Sequence, residues 1–125
     1  AIQRFIALNE CCYPEFKRII YLSHPYGNKI SNKTKLERFQ KFLIDKYPGY
    51  LFLSPVHAFG NLYDYVSYED GLSYCLFLLN ISDEIWVLGD WTDSEGCQKE
   101  VQVAIKDNLP IKFISKKQYE EVIND

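Results

Sequence analysis

Apolar and polar positions alternate along this chain in a regular series of short segments from residue 18 onward. Ile19-Ile20-Tyr21-Leu22 is an apolar run that stops at Ser23-His24-Pro25-Tyr26-Gly27-Asn28, which predicts a strand over residues 18–23 followed by a polar turn. Residues 31–47 carry Leu36, Phe39, Phe42, Leu43 and Tyr47 at helical spacing and end at Pro48-Gly49, a helix with its stop signal. Further strands are predicted at 50–53, 84–88 and 111–114, and further helices at 67–79, 94–107 and 116–123. A long loop is expected from Ser54 to about Val66. Residues 1–17 show no clear pattern: Phe5-Ile6-Ala7-Leu8 is short, and Cys11-Cys12-Tyr13-Pro14 reads as a break. They are expected to be an extension to a single domain over 18–125.

The order β-α-β-α-β-α-β-α implies an α/β fold with parallel strands, right-handed crossovers and helices on both faces. The near-continuous apolar strands agree, because such a sheet is buried on both sides. Folds of this class bind ligands beyond the carboxyl ends of the strands, where the strand order reverses. Three segments then lie on that rim: Tyr21 to Asn28, Ser54-Pro55-Val56-His57, and Gly89 to Gly96.

The third segment, Gly89-Asp90-Trp91-Thr92-Asp93-Ser94-Glu95-Gly96, leads into a helix. Thr92 and Glu95 fit a capping box, and Ser94 is a competing cap. The amides of that helix start either are capped or can receive a phosphate. In the helix, Cys97, Val101, Ala104 and Ile105 form the apolar stripe, with Glu100 at its margin. That carboxylate either points into a cleft or covers the edge of the core. Asp83 precedes the third strand and belongs at the opposite end of the sheet. The rim carboxylates Asp90 and Asp93, with His24, His57 and several phenols, suit acid–base or nucleophilic work.

Composition narrows the field. The net charge is −3 with no basic patch, which argues against a nucleic-acid polymer as partner. No apolar run approaches the ~20 residues of a membrane span, and no signal segment is present. The sequence contains no Met, so its natural start is expected to lie upstream or to have been removed. Cys11, Cys12, Cys75 and Cys97 make no CxxC pair and lie at no metal-ligand spacing from the two histidines, so no metal site is expected. A reduced, cytoplasmic protein is the expectation. Neither a Gly-rich phosphate loop nor a GxSxG elbow occurs, which disfavours triphosphates, dinucleotides and serine-hydrolase chemistry. No cofactor is expected.

"IIYLSHPYGN" (residues 19–28) and "EDGLSYCLFLLNISDEIWVLGDWTDSEGCQKEVQVAIKDNLPI" (residues 69–111) together resemble the nucleoside 2-deoxyribosyltransferase-like superfamily. The likeness is to its small bacterial and phage branch, with W-x-x-S-x-G-C-x-x-E-x-x-x-A as the specific motif, and covers about residues 18–115. It implies a flavodoxin-like three-layer sandwich with a four- to five-stranded parallel sheet. It implies cleavage of the N-glycosidic bond of a (deoxy)nucleoside or nucleoside 5'-monophosphate, by hydrolysis or base transfer. Glu100, four residues before Ala104, matches the nucleophile, and Tyr21 the tyrosine that orients it. Ser94 stands where transferases often carry Asp, which leans toward a nucleotide hydrolase. The implied substrate-binding set is Ser23, His24, Pro25, Tyr26, His57, Asp90, Trp91, Asp93, Ser94 and Gly96. The resemblance also implies a homo-oligomer; Tyr63, Tyr65 and Tyr68 either offer a face for it or pack within their loop. The competing readings are a nucleotide-binding module without catalysis, a flavodoxin-like electron carrier, and a pure interaction protein.

Overall fold

A computed structural model describes residues 16–124. The extension before residue 16, with Cys11 and Cys12, and the final Asp125 lie outside the described residues. The described chain runs β1 (Arg18–Ser23), α1 (Ile30–Lys46), β2 (Tyr50–Leu53), α2 (Pro55–Phe59), α3 (Tyr68–Asn80), β3 (Glu84–Val87), α4 (Glu95–Lys106), β4 (Ile111–Phe113) and α5 (Lys116–Ile123). Single 3-10 turns occupy Gly60–Leu62 and Trp91–Asp93.

The four strands form one parallel sheet in the order β2-β1-β3-β4. The chain moves outward from β1 to β2, then crosses back to place β3 on the other side of β1. The order therefore reverses between β1 and β3, and a ligand crevice in this class opens there.

The period-two alternation of the strands sorts the core into two layers. Ile20 and Leu22 of β1, with Trp86 of β3 and Leu88 just beyond it, pack against Leu36, Phe39 and Leu43 of α1 and Tyr119 of α5. Tyr21, Ile85 and Val87 point the other way, against Leu79 of α3 and Val101 and Ala104 of α4. Helices thus cover both faces, and the molecule is the flavodoxin-like three-layer sandwich. At the end of the sheet away from the rim, Asp83 Oδ2 accepts the Ile19 amide at 2.6 Å, which pins the start of β1 to that of β3.

The loop expected over 54–66 is partly helical. Ser54 caps α2 by accepting the His57 amide, and Pro55 occupies the first turn, where its missing N–H costs nothing. Five residues give too short a run for hydrophobic periodicity to reveal the helix.

Candidate active site

β1 delivers the first two groups. Tyr21 and Ser23 are two residues apart, so both face the α3/α4 layer, and both are fully buried. α4 delivers the third. Cys97, Glu100, Val101 and Ala104 are its buried residues, at positions i, i+3, i+4 and i+7. Glu100 therefore lies within the buried stripe and not at its margin. Its hydroxyl partners explain why a carboxylate is tolerated there: the Tyr21 hydroxyl donates to Oε2, and Ser23 Oγ donates to Oε1 at 2.8 Å.

Burial is the largest influence on this carboxyl group and favours its neutral form. The two hydroxyl donors favour the ionised form and offset part of the effect. The outcome is a Glu100 pKa raised to about 7. Tyr21 is held well above its ordinary value by burial and by the neighbouring carboxylate, so it remains a donor. The thiols of Cys75 and Cys97 are pushed up to about 11, by burial first and Glu100 second. The cluster is thus one carboxyl group able to ionise near neutrality, among hydroxyls and thiols that stay protonated.

Ser94, not Thr92, caps α4, accepting the Cys97 amide at 3.3 Å. The segment before it, Trp91–Asp93, turns as a 3-10 helix, so Thr92 is inside that turn and not at the α4 cap. A side chain added at Gly96 would meet nothing within 4 Å, so the first turn of α4 borders open space. Asp90 and Asp93 are exposed on the rim. Trp91 packs on Phe113, with ring centroids 5.2 Å apart.

The other rim residues are engaged elsewhere. Both ring nitrogens of His57 have partners: Nδ1 lies 2.6 Å from Ser54 Oγ and Nε2 lies 2.9 Å from Glu37 Oε1. His24 faces the α1/α5 layer, opposite Glu100, with Nε2 at 2.5 Å from the Tyr119 hydroxyl. Tyr26 donates to Asn28 Oδ1 and stands edge-on to Tyr63. Asn28 in turn donates to Asp64 Oδ2 at 2.9 Å, tying the β1 turn to the segment after α2. Pro25 is half-buried and its carbonyl accepts from His24.

Sequence reasoning passed over Tyr119, Glu37 and Asp64, and placed Ser54 on the rim without its contact to His57. Only His24 carried a signal: its parity with Ile20 and Leu22 assigns it to the α1/α5 face. The described residues include no cluster suited to a metal ion and no helix long and apolar enough to cross a membrane.

A parallel α/β sandwich with a buried carboxylate beneath its rim defines the class. The fold is shared with a solved 2-deoxyribosyltransferase. The chain belongs to the family described as a domain of unknown function (DUF4406), which matches residues 19–113. Among solved structures, it is similar to the 2-deoxyribosyltransferase of the psychrotolerant bacterium Bacillus psychrosaccharolyticus. The TM-score is 0.60 at 18% identity, over 83% of this chain and 81% of that chain. No curated protein matches the sequence.

Proposed function

We propose that this protein cleaves the N-glycosidic bond of a (deoxy)nucleoside or nucleoside 5'-monophosphate, with Glu100 as nucleophile. The observation that carries the reading is a buried carboxylate that receives one hydroxyl on each oxygen and ionises near neutral pH. A carboxylate so held is nucleophilic without a separate base.

In this reading one Glu100 oxygen forms a bond to C1' of the sugar while the base leaves with the electron pair of the broken C–N bond. The base takes a proton from a rim donor, for which exposed Asp90 and Asp93 are the candidates, or from water. A water molecule then attacks C1', breaks the ester bond, and returns Glu100 as carboxylate with loss of a proton. A second base in place of water makes the reaction a transfer. Both steps pass through oxocarbenium-like transition states, as in retaining glycosidases. Tyr21 and Ser23 orient the carboxylate. Ser94 and the amides opening α4 serve as contacts for a 5'-phosphate. Glu100 is 6% exposed, so the rim segments part before a sugar reaches it.

The homo-oligomer belongs to the same reading. α3 presents Tyr68, Tyr74 and Phe77 to solvent, followed by exposed Ile81, and no charged residue occurs from Gly71 to Ser82. That is the kind of face subunits cover.

The test is release of free base from a panel of deoxynucleosides and their 5'-monophosphates, followed by chromatography. Glu100→Gln is expected to lower turnover more than about a thousandfold while keeping the fold. Base release by the variant at the wild-type rate would remove Glu100 from the mechanism. The near-complete burial of Glu100 favours a second reading, a binding module. No base released from any substrate, together with a nucleotide-induced rise in Tm, would establish that instead.

A further inference from the structure

His24 is joined to three parts of the rim at once. Its Nδ1 lies 2.7 Å from the Pro25 carbonyl oxygen, which can only accept, so Nδ1 carries the proton. The neutral ring then has a bare Nε2, and the Tyr119 hydroxyl donates to it at 2.5 Å. Tyr119 is itself fixed, because its ring stacks on Phe39 of α1 with centroids 5.5 Å apart. On the third side lies Gly89, in the turn after β3. Its φ is +70°, and a Cβ there would sit 3.4 Å from His24 Nε2 and 3.4 Å from Pro25 Cδ. The turns after β1 and β3, which flank the point where the strand order reverses, meet on this imidazole.

His24 also follows Ser23, whose hydroxyl holds Glu100 and whose carbonyl accepts the Leu88 amide at 2.9 Å. We infer that His24 is a positioning residue: clamped between the Pro25 carbonyl and Tyr119, it sets the β1 turn and so the placement of Ser23 against Glu100. The C-terminal helix α5 is thereby built into the site from the opposite face of the sheet. This inference rests on Glu100 as the functional carboxylate. Burial keeps the ring neutral across the neutral range, consistent with its acceptor Nε2. The charged and titratable groups that bear on His24 are Tyr119 from α5, Lys35 from α1 and Asp90 from the β3 rim. Those that bear on Glu100 are Tyr21 from β1, Cys75 from α3 and Cys97 on its own helix.

The test uses the full chain and needs no substrate for its first two measurements. Long-range 1H–15N spectra at neutral pH are expected to show His24 as the Nδ1–H tautomer. Tyr119→Phe keeps the ring stack and removes only the donor. It is expected to shift the Nε2 resonance and to move the Glu100 titration, followed by carboxyl 13C, by about half a pH unit or more. His24→Gln, whose side-chain oxygen can accept from Tyr119, is expected to keep the Glu100 titration closer to wild type than His24→Leu does. On any substrate the wild type turns over, Tyr119→Phe should lower kcat about tenfold with KM within about twofold. An Nε2–H tautomer in the wild type would overturn the inference. So would a folded Tyr119→Phe protein with unchanged Glu100 titration. If the wild type turns over no substrate, the proposed reaction fails while the spectra still decide the role of His24.

Discussion

Burial acts on Glu100 and His24 in opposite senses. Burial holds Glu100 at a pKa of about 7 against an ordinary 4.5, so the folded protein keeps a proton there that the unfolded chain has released. The stabilisation this contributes is complete below about pH 4.5 and is lost as pH rises through about 7. His24 is lowered from 6.5 to about 4, so the unfolded chain binds the proton first. Its contribution is present above about pH 6.5 and is lost as pH falls toward 4. Each displacement corresponds to about 3 kcal/mol, with opposite slopes that cancel over the shared window. Denaturant titrations across pH 4–7.5 are therefore expected to show little change from this pair between pH 4.5 and 6.5 in the wild type. Glu100→Gln should gain stability as pH rises through that window, and His24→Gln should lose it. Curves that run parallel for all three proteins would contradict the assignment. In activity, a nucleophilic Glu100 requires kcat/KM to rise with pH through an apparent pKa near 7. A flat profile there would place the ionising nucleophile elsewhere.

At the scale of elements, α4 depends on one cap. Ser94 accepts the Cys97 amide, whereas Thr92 lies within the preceding 3-10 turn. Ser94→Ala is expected to cost about 1 kcal/mol in denaturant unfolding, and Thr92→Ala to fall within a few tenths of wild type. The reverse order would return the cap to Thr92. The turn from β3 to α4 makes a second demand. Gly89 has φ +70°, and a Cβ there would meet His24 and Pro25 only at 3.4 Å, an ordinary contact distance. Gly89→Ala should therefore destabilise by about 1–2 kcal/mol, through the left-handed backbone rather than through lost contacts. A neutral or stabilising effect of Gly89→Ala would show that this turn relaxes freely.

For the whole molecule, the order β2-β1-β3-β4 sets Tyr21 and Ser23 on a central strand, next to the strand that leads into α4. The candidate site is thus an outcome of connectivity as much as of the residues themselves. The exposed apolar run of α3 is a separate feature on the surface of the α3/α4 layer. If subunits meet there, Phe77→Glu, at a residue 66% exposed, should lower the mass measured by light scattering while the far-ultraviolet spectrum is kept. An unchanged oligomer in that variant would move the contact to another face.

Much of this was legible in one dimension. Short apolar runs bounded by turn residues marked all four strands, and the long amphipathic periods marked α1, α3, α4 and α5, because burial imposes those spacings directly on sequence. α2 was missed because a five-residue helix begun by Ser54-Pro55 leaves no period to read. The predicted stripe Cys97, Val101, Ala104 and Ile105 brought Glu100 to the edge of the core, although Ile105 itself is exposed in the fold. The place of Glu100 inside the stripe was decided by Tyr21 and Ser23, hydroxyls from a strand more than seventy residues earlier, whose donation makes a buried carboxylate tolerable. The His24–Tyr119 and His57–Glu37 contacts were invisible for the same reason: hydrogen bonds between distant segments leave no periodic trace along the chain. Apart from α2, the sequence by itself determined the elements and their parallel arrangement, since local sterics and hydrophobic burial act residue by residue. Only the tertiary structure decided which polar groups meet between those elements, since that depends on the relative placement of strands and helices.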